Sequence, residues 1–155
     1  MLEETLTYAL IIAMKQKRHR MAAAMAPLGL HVGQEFLLNK LWHEDGLTQS
    51  ELIARLGVEP PTVTKTIQRL ERAGFLRRSR DADRPRVSRV WLTDAGRALR
   101  EPVERIWAEL DEELVNGLGE EERELLAGVL ERAVRRSPHA PKHTTKHAPE
   151  RATGR

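Results

Sequence analysis

The sequence predicts a mainly helical fold that carries one small β-hairpin, and three observations support this prediction. Leu, Ala, Glu and Arg recur throughout the 155 residues, whereas aromatic residues make up only 4%. That balance favours helices over a β-sandwich or barrel. Apolar residues recur at helical spacing along most of the chain. The period changes to two only between Phe75 and Thr93, a stretch long enough for two short strands.

Composition restricts the kinds of protein that the chain can be. A length of 155 residues fits one compact domain with a tail, and a hydrophobic fraction of 40% is enough for a core. Cysteine is absent, which excludes a disulfide framework, a thiolate nucleophile and cysteine-ligated zinc. The longest apolar run, residues 9–14, is too short to cross a bilayer, and the chain starts Met-Leu-Glu-Glu rather than with a signal-peptide pattern. We therefore expect a cytoplasmic protein with no membrane partner.

Charge is distributed unevenly along the chain, although the formal net charge is only +3. Residues 62–100 hold eleven basic and four acidic side chains, whereas residues 101–136 hold five basic and eleven acidic ones. Residues 137–155 carry four basic groups against one acidic group, which accounts for the whole net charge. Such an asymmetry is expected when one surface faces a polyanion and another faces solvent or a partner subunit.

Residues 137–155 are predicted to form a disordered basic tail, because they contain almost no large apolar side chain that burial could stabilise. His139, His143 and His147 are four residues apart, a spacing that would align metal ligands on a helix. The prolines among them argue against a helix, so a solvated tail is favoured over a metal site. We expect no cofactor.

Helix signals are clear at several points of the chain. The apolar spacing predicts helices over residues 5–25, about 32–42, 48–56 and 60–73, then a long helix capped by Thr93 and kinked at Pro102, and a last helix after Gly119. Thr48 and Glu51 have the spacing of a capping box. Residues 75–80 and 87–93 alternate as two strands around a turn at residues 81–85.

The central order of short helix, tight turn, helix and basic hairpin is typical of a winged helix-turn-helix lobe. In the helix that contains Thr62, the apolar residues share one face, which leaves Lys65, Gln68 and Arg69 on the other. Polar side chains on the exposed face of such a helix can reach base edges in the major groove. An ordinary amphipathic surface helix is the alternative for this element alone.

The hairpin adds weight to nucleic-acid binding. Residues 77–89 contain six arginines, a crowding of like charge that is unfavourable unless an anion lies near. Arg84 and Arg86 are predicted at the tip, where one could enter a minor groove while the others meet phosphates. A solvated, charged hairpin is the alternative.

Residues 47–96, reading LTQSELIARLGVEPPTVTKTIQRLERAGFLRRSRDADRPRVSRVWLTDAG, resemble the DNA-binding lobe of the MarR (multiple antibiotic resistance regulator) family of dimeric winged-helix transcription factors. The most specific parts are the PPTVTKTIQRLE helix, the Gly74-Phe-Leu turn and the LTDAG entry to the long helix. The resemblance covers roughly residues 1–136. It implies a single domain, with a winged helix lobe at about 31–96 and a helical dimerisation lobe formed by 1–30 and 97–136.

The pattern and the resemblance together give three sets of expected site residues. The expected contacts with double-stranded DNA are Thr48, Gln49, Pro60, Pro61, Thr62, Thr64, Lys65, Gln68, Arg69, Arg77, Arg84, Arg86 and Arg89. The homodimer interface is expected at Leu6, Leu10, Ile106, Leu110, Leu126, Val129 and Leu130. The resemblance also implies a crevice for a small phenolic or anionic effector, for which the candidate lining is Met14, Arg18, His31, Trp42 and Trp107.

The wing departs from the family pattern, which usually reads Asp-x-Arg-x-x-Arg at the tip. Here the aligned residues are Arg84-Pro-Arg86-Val-Ser-Arg89, so that an arginine occupies the Asp position and Asp83 comes just before it. We therefore expect the ion pair that braces the wing to be rearranged.

The sequence favours a sequence-specific DNA-binding regulator over an enzyme, and the resemblance implies a repressor that binds a pseudo-palindromic operator as a homodimer. It lacks GxSxG, HExxH and P-loop motifs, and Gly117-Leu-Gly119 lacks the third glycine of a dinucleotide-binding turn. No catalytic residue is expected. The alternative is an architectural or protein-interaction winged-helix protein without strong sequence specificity, which would bind DNA with a steep salt dependence but no preferred sequence.

Overall fold

A computed structural model describes residues 1–81 and 86–135. The fold class predicted from the sequence is confirmed, because seven α-helices of the described residues surround one small sheet. In chain order the elements are α1 (Leu6–Met25), α2 (Gln34–His43), β1 (Leu47–Thr48), α3 (Gln49–Leu56), α4 (Pro60–Arg72), β2 (Leu76–Arg80), β3 (Ser88–Leu92), α5 (Asp94–Ala98), α6 (Arg100–Val115) and α7 (Glu120–Arg135). Short 3₁₀ turns at Leu2–Glu4 and Ala26–Leu28 flank α1.

The sheet has three antiparallel strands in the order β1, β3, β2, so the predicted two-stranded hairpin was incomplete. β1 pairs with β3 through Leu47 opposite Val90, and β2 pairs through Leu76 opposite Leu92. β1 contains only two residues, too few for an alternating pattern to appear in the sequence. Its strand character comes from the pairing with β3, which ties the start of α3 to the wing.

Several predicted helix ends are confirmed. The Thr48 backbone N–H donates to Glu51 Oε2 at 2.7 Å, and the Glu51 N–H donates back to Thr48 Oγ1 at 3.2 Å, which completes the capping box at the start of α3. Gly57 ends α3 with a φ of 64°, a left-handed conformation that glycine adopts without a steric penalty. α4 then starts at Pro60, where a missing N–H costs nothing.

The long helix predicted after Thr93 is interrupted, as expected from Pro102. The interruption falls at Leu99, between α5 and α6, where the backbone stays in the right-handed helical region. A proline ring collides with the carbonyl four residues earlier in a continuous helix, which here is that of Ala98. The chain avoids this collision by ending α5 there, and the Val103 N–H closes the first turn of α6 on the Leu99 carbonyl at 3.0 Å.

The hydrophobic core lies in the winged lobe. α2, α3, α4 and the sheet share it, and its fully buried members include Leu38, Leu52, Ile67, Leu70 and Val90. The terminal helices differ, because α1 buries only Met25 and α7 buries no residue. No helix in the described ranges is long and apolar enough to cross a membrane.

Candidate nucleic-acid interface

α4 has the two faces that the sequence predicted. Val63 and Ile67 are each 1% exposed and Leu70 is fully buried, so this face is fixed to the lobe. Lys65 and Arg69 lie on the opposite, exposed face. Within the described residues, neither forms a hydrogen bond or an ion pair through its side chain. Both cations are therefore available to an external anion.

The threonines of α4 are bonded inside the protein. Thr64 Oγ1 accepts a hydrogen bond of 2.7 Å from the Gln49 side-chain amide and donates one of 3.0 Å to the Pro60 carbonyl. Thr66 Oγ1 donates to the Thr62 carbonyl at 2.9 Å. Two residues predicted to contact DNA, Gln49 and Thr64, thus contact each other and fix α3 against α4. Their contact with DNA stays a prediction.

The other residues predicted to contact DNA, at the start of α3 and α4, differ in whether their side chains already form hydrogen bonds within the protein. Thr48 is a capping residue whose hydroxyl also donates to Glu51 Oε2 at 2.9 Å. Pro60, Pro61 and Thr62 form the first turn of α4 and are exposed. The proline rings and the Thr62 side chain are therefore accessible to DNA, whereas the Thr48 side chain caps α3 and stabilises that helix.

The wing arginines fall into two groups. Arg78 pairs with Glu71 at 2.7 Å, and Arg89 pairs with Asp81 at 2.5 Å while donating to the Gly46 carbonyl at 2.8 Å. Arg77 and Arg86 instead have exposed side chains. Arg89 therefore braces the base of the wing, and Arg77, Arg80 and Arg86 are presented outward.

Arg77 is steadied by an aromatic ring. Its guanidinium carbon lies 5.8 Å from the centroid of the Trp91 ring, opposite it in the β2–β3 register, which is within cation–π range. The ion pair that braces the wing is expected from the sequence to be rearranged, and here Arg89 pairs with Asp81, which directly follows β2. Asp83 and Arg84 lie outside the described residues, as does the tail with His139, His143 and His147.

An acidic residue that the sequence did not single out anchors the wing to α2. Asp45 Oδ1 accepts the backbone N–H groups of Gly46 and Leu92, each at 2.9 Å, and Oδ2 accepts from Arg97 at 2.7 Å. Gly46 has a φ of 75°, and a Cβ there would lie 2.4 Å from the Trp91 ring. The loop before β1 is thus held in one conformation by a carboxylate and a glycine, a relationship that only the strand pairing reveals.

A cavity of about 720 Å³ lies between the winged lobe and α6. Its walls come from α2, α3, α4 and α6, and Thr62, Val63 and Thr66 form the part contributed by α4. Phe36 and Trp107 both line it and contact each other edge to face, with ring centroids 5.8 Å apart. A ligand in this cavity would touch the inner side of the helix whose outer side carries Lys65 and Arg69.

Only two of the five residues predicted to line the effector crevice lie in the wall of this cavity. Trp42 and Trp107 line the cavity, whereas Met14, Arg18 and His31 do not. Met14 is 62% exposed on α1, and Arg18 lines a separate shallow depression on the same helix. Sequence spacing alone does not show which helix faces meet, and for this reason the prediction missed Phe36 and Glu35.

Glu35 is the buried charge of the cavity wall. Its side chain is almost wholly buried, Oε2 accepts the Gly33 N–H at 2.7 Å, and Oε1 has no hydrogen-bond partner among the described residues. Burial raises the pKa of Glu35, and this rise is partly offset by hydrogen bonds from the backbone N–H groups of Glu35 and Gly33 and by the charge of Arg18.

Comparison with known proteins decides the family. The sequence model of the MarR family matches residues 30–87. The chain is also 34% identical over 100 residues to the HTH-type transcriptional regulator YwoH of Bacillus subtilis (strain 168), and this alignment covers 64% of the chain and 72% of YwoH. The chain belongs to the MarR family. Its relatives are named as transcriptional regulators and not as enzymes, in agreement with the sequence analysis.

Two further relatives of this MarR-family chain match over shorter parts of their length. TtmR of Methylorubrum extorquens (strain PA1) is 40% identical over 67 residues, which is 43% of the chain and 34% of TtmR. YdgJ of Bacillus subtilis (strain 168) is 33% identical over 96 residues, 62% of the chain and 58% of YdgJ. The chain thus spans about a third of the first relative and somewhat more than half of the second.

Solved structures of the family match more completely. MepR of S. aureus in complex with DNA superimposes with a TM-score of 0.77 at 27% identity, over 84% of this chain and 97% of MepR. The transcriptional repressor CouR, bound to a 23-mer DNA duplex, gives a TM-score of 0.76 at 29% identity, over 86% of this chain and 95% of CouR. The MarR winged-helix fold therefore extends over both the lobe with the sheet and the terminal helices.

Proposed function

We propose that this protein is a sequence-specific, DNA-binding transcriptional regulator that acts as a homodimer. The observation that carries the proposal is the outer face of α4, where Lys65, Gln68 and Arg69 are exposed and have no side-chain partner among the described residues. MepR and CouR, which share the fold, were both solved with DNA bound. This face has the helix, the charge and the hydrogen-bond donors that major-groove binding requires.

Each part of the interface has a distinct role in this proposal. Lys65 and Arg69 donate to guanine O6 and N7 or to phosphates, and the Gln68 amide suits the N6 and N7 edge of adenine. Arg86 enters the minor groove beside the operator half-site, with Arg84 as its neighbour or as a phosphate contact. Arg77, steadied by Trp91, meets the backbone. Gln49 and Thr64 set the angle of α4.

The apolar surface of the terminal helices supports the homodimer. On α1, Leu6 is 91% exposed and Leu10 48%, and on α7, Val129 is 44% and Leu130 40% exposed, with Leu126 on the same helix. Exposed apolar side chains that cluster on a helix are typical of an interaction surface. A second copy related by a two-fold axis would cover these residues and α6 around Leu110. Ile106 contributes less, because it already packs against the core of its own chain.

Regulation by a small molecule completes the proposal. The cavity shares its wall with α4, so a bound ligand could move that helix relative to its two-fold mate and lower the affinity for an operator whose half-sites are spaced by one turn of DNA. Release from the operator by such an effector corresponds to a repressor. The effector and the sign of regulation are part of the proposal.

Selection of bound sequences from random duplex DNA tests the proposed function. We expect a pseudo-palindrome whose half-sites lie about one helical turn, roughly 10 base pairs, apart. Sedimentation at micromolar protein concentration should show a dimer in the same buffer. Recovery of no enriched motif, together with a steep salt dependence, would favour the architectural alternative. A stable monomer that binds a single asymmetric site would overturn the homodimer.

A further inference from the structure

We propose that the cavity between α2, α4 and α6 binds a small aromatic cation, whose charged nitrogen pairs with the carboxylate of Glu35. The binding site itself rests on the cavity and its charges, and its role as a regulatory site rests on the proposed function. An aromatic cation differs from the phenolic or anionic effector that the family resemblance implies.

Glu35 supplies a negative charge that the protein leaves incompletely bonded. It lies in the first turn of α2, is 2% exposed, and accepts a hydrogen bond of 2.7 Å from the Gly33 N–H at Oε2. Oε1 is covered from water and has no hydrogen-bond partner within the described chain. A buried acceptor without a partner is costly. Because the terminal torsion of a glutamate is soft, the carboxylate can turn Oε1 toward an N–H group that enters the cavity.

The other acidic and basic groups of the wall are compensated or movable. Arg55 pairs with Glu44 at 2.6 Å, and Glu104 pairs with Arg100 at 2.8 Å. Lys40 also lines the cavity and has no ion pair with a described residue, but its flexible stem can carry the ammonium group into solvent. Glu35 is instead buried in the wall.

The aromatic residues match the same kind of ligand. Phe36, Trp42 and Trp107 line the cavity, and Trp42 is locked in place by a hydrogen bond of 3.0 Å from Nε1 to the Gly96 carbonyl. Aromatic faces attract cations, most strongly where water is excluded, and they stack on flat rings. A volume of about 720 Å³ suits a ligand of drug size. A flat ring that bears an amine or amidine therefore matches both the shape and the charge of the site.

Three probes of one shape test the charge preference: the 2-naphthamidinium cation, neutral 2-naphthamide and the 2-naphthoate anion. Their dissociation constants are measured with the full chain, without DNA, by calorimetry and by the fluorescence of the cavity tryptophans. We expect the cation to bind at least tenfold more tightly than the anion at pH 7.5. Equal binding of cation and anion, tighter binding of the anion, or no binding of any probe would overturn the proposal.

Variants locate the preference on one carboxylate. Glu35→Gln should remove most of the advantage of the cation over the neutral amide and change binding of the amide less than threefold. Glu104→Gln is the matched control, because Glu104 lines the same cavity but is already paired with Arg100, and it should retain the advantage. A Glu35→Gln protein that still prefers the cation as wild type does would contradict the assignment.

A measurement on the wild-type protein remains available if Glu35→Gln fails to fold. Binding of the cation requires ionised Glu35, whose pKa burial raises, so affinity should increase with pH until this group is fully ionised. Arg18, Lys40, Arg55 and Glu104 are the other charged groups around the site. Affinity for the neutral amide should stay flat over the same range, and a cation affinity that is also flat would overturn the role of Glu35.

Binding and regulation are separable in this design. If the cation binds but the protein selects no DNA sequence, the cavity assignment stands and the proposed function fails. If the protein binds a specific operator but does not bind the cation, the proposed function stands and this inference fails. The effect of the cation on operator affinity is then measured with the selected sequence.

Discussion

The side-chain amide of Gln49 donates a hydrogen bond of 2.7 Å to the hydroxyl of Thr64, and this hydrogen bond joins the first turn of α3 to α4. We expect Gln49→Leu and Thr64→Val to be coupled in a double-mutant cycle. The coupling in the free energy of unfolding should be about 0.5–1.5 kcal/mol, the usual net value of one hydrogen bond. Urea denaturation without DNA measures it, and additive effects of the two changes would show that the contact does not stabilise the α3–α4 packing.

A second prediction concerns the outer face of α4. Arg69→Ala should weaken binding to all DNA sequences and lower the slope of log affinity against log salt by about one if Arg69 meets a phosphate, or relax the preference at one base pair if it meets a guanine. Arg105→Ala is the matched control, because Arg105 is an exposed arginine on α6 that pairs with Glu101. It should leave both quantities unchanged. Equal effects of the two changes would remove α4 from the interface.

The wing makes a third prediction. Arg86→Ala should cost roughly 1–3 kcal/mol in DNA binding and reduce the preference for A·T-rich flanks if its side chain enters the minor groove. Arg84→Ala, if Arg84 is a phosphate contact, should weaken binding equally on both kinds of flank. Binding curves on operators with A·T and G·C flanks at two salt concentrations separate the two roles. Wild-type behaviour of Arg86→Ala under all four conditions would make the hairpin a solvated surface only.

Gly96 is the subject of a fourth prediction, on stability. A Cβ at this position would lie 2.1 Å from the Phe75 carbonyl oxygen, which the Thr93 N–H holds in place at 3.0 Å. Gly96→Ala should therefore destabilise the fold by about 1–3 kcal/mol. Gly128→Ala is the control, since the nearest atom to its Cβ is the movable Arg132 guanidinium at 3.4 Å. In α7 it should be neutral or stabilising by about 0.5–1 kcal/mol, as measured by chemical denaturation.

The capping box gives a fifth prediction, on pH. Hydrogen bonds from the Thr48 N–H and hydroxyl lower the pKa of Glu51. A carboxylate with a lowered pKa in the folded state stabilises the fold above its ordinary pKa, and this stabilisation is lost as the pH falls through the lowered value. Wild type should exceed Glu51→Gln in unfolding free energy by roughly 0.3–1 kcal/mol at pH 7, and the difference should shrink below about pH 4. A difference that grows on acidification would contradict the assigned direction.

Elements with local signals could be predicted from the sequence, whereas those fixed by distant contacts could not. The Thr48–Glu51 box and the proline at the start of α4 act within one turn, so their residues alone define the helix ends. β1 has no such signal, because its two residues become a strand only through β3. The interruption lies at Leu99 rather than at Pro102 because the proline ring collides with the carbonyl four residues before it, that of Ala98.

In the candidate site too, some features follow from local sequence signals and others depend on contacts between distant elements. Burial of Val63 and Ile67 follows from helical periodicity, and the exposure of Lys65 follows with it. The pairing of Arg89 with Asp81 and the meeting of Phe36 with Trp107 depend on how separate elements pack, and no spacing in the sequence specifies them.

The cavity wall formed by Thr62, Val63 and Thr66 has a thermodynamic consequence. One helix would contact a ligand on its inner side and an operator on its outer side, so the two binding events share a coupling free energy. Linkage makes this coupling reciprocal: an effector that weakens operator binding by a given factor must itself bind the operator complex more weakly by that same factor. If the proposed function holds, operator DNA and the effector would therefore compete across one helix diameter without touching each other.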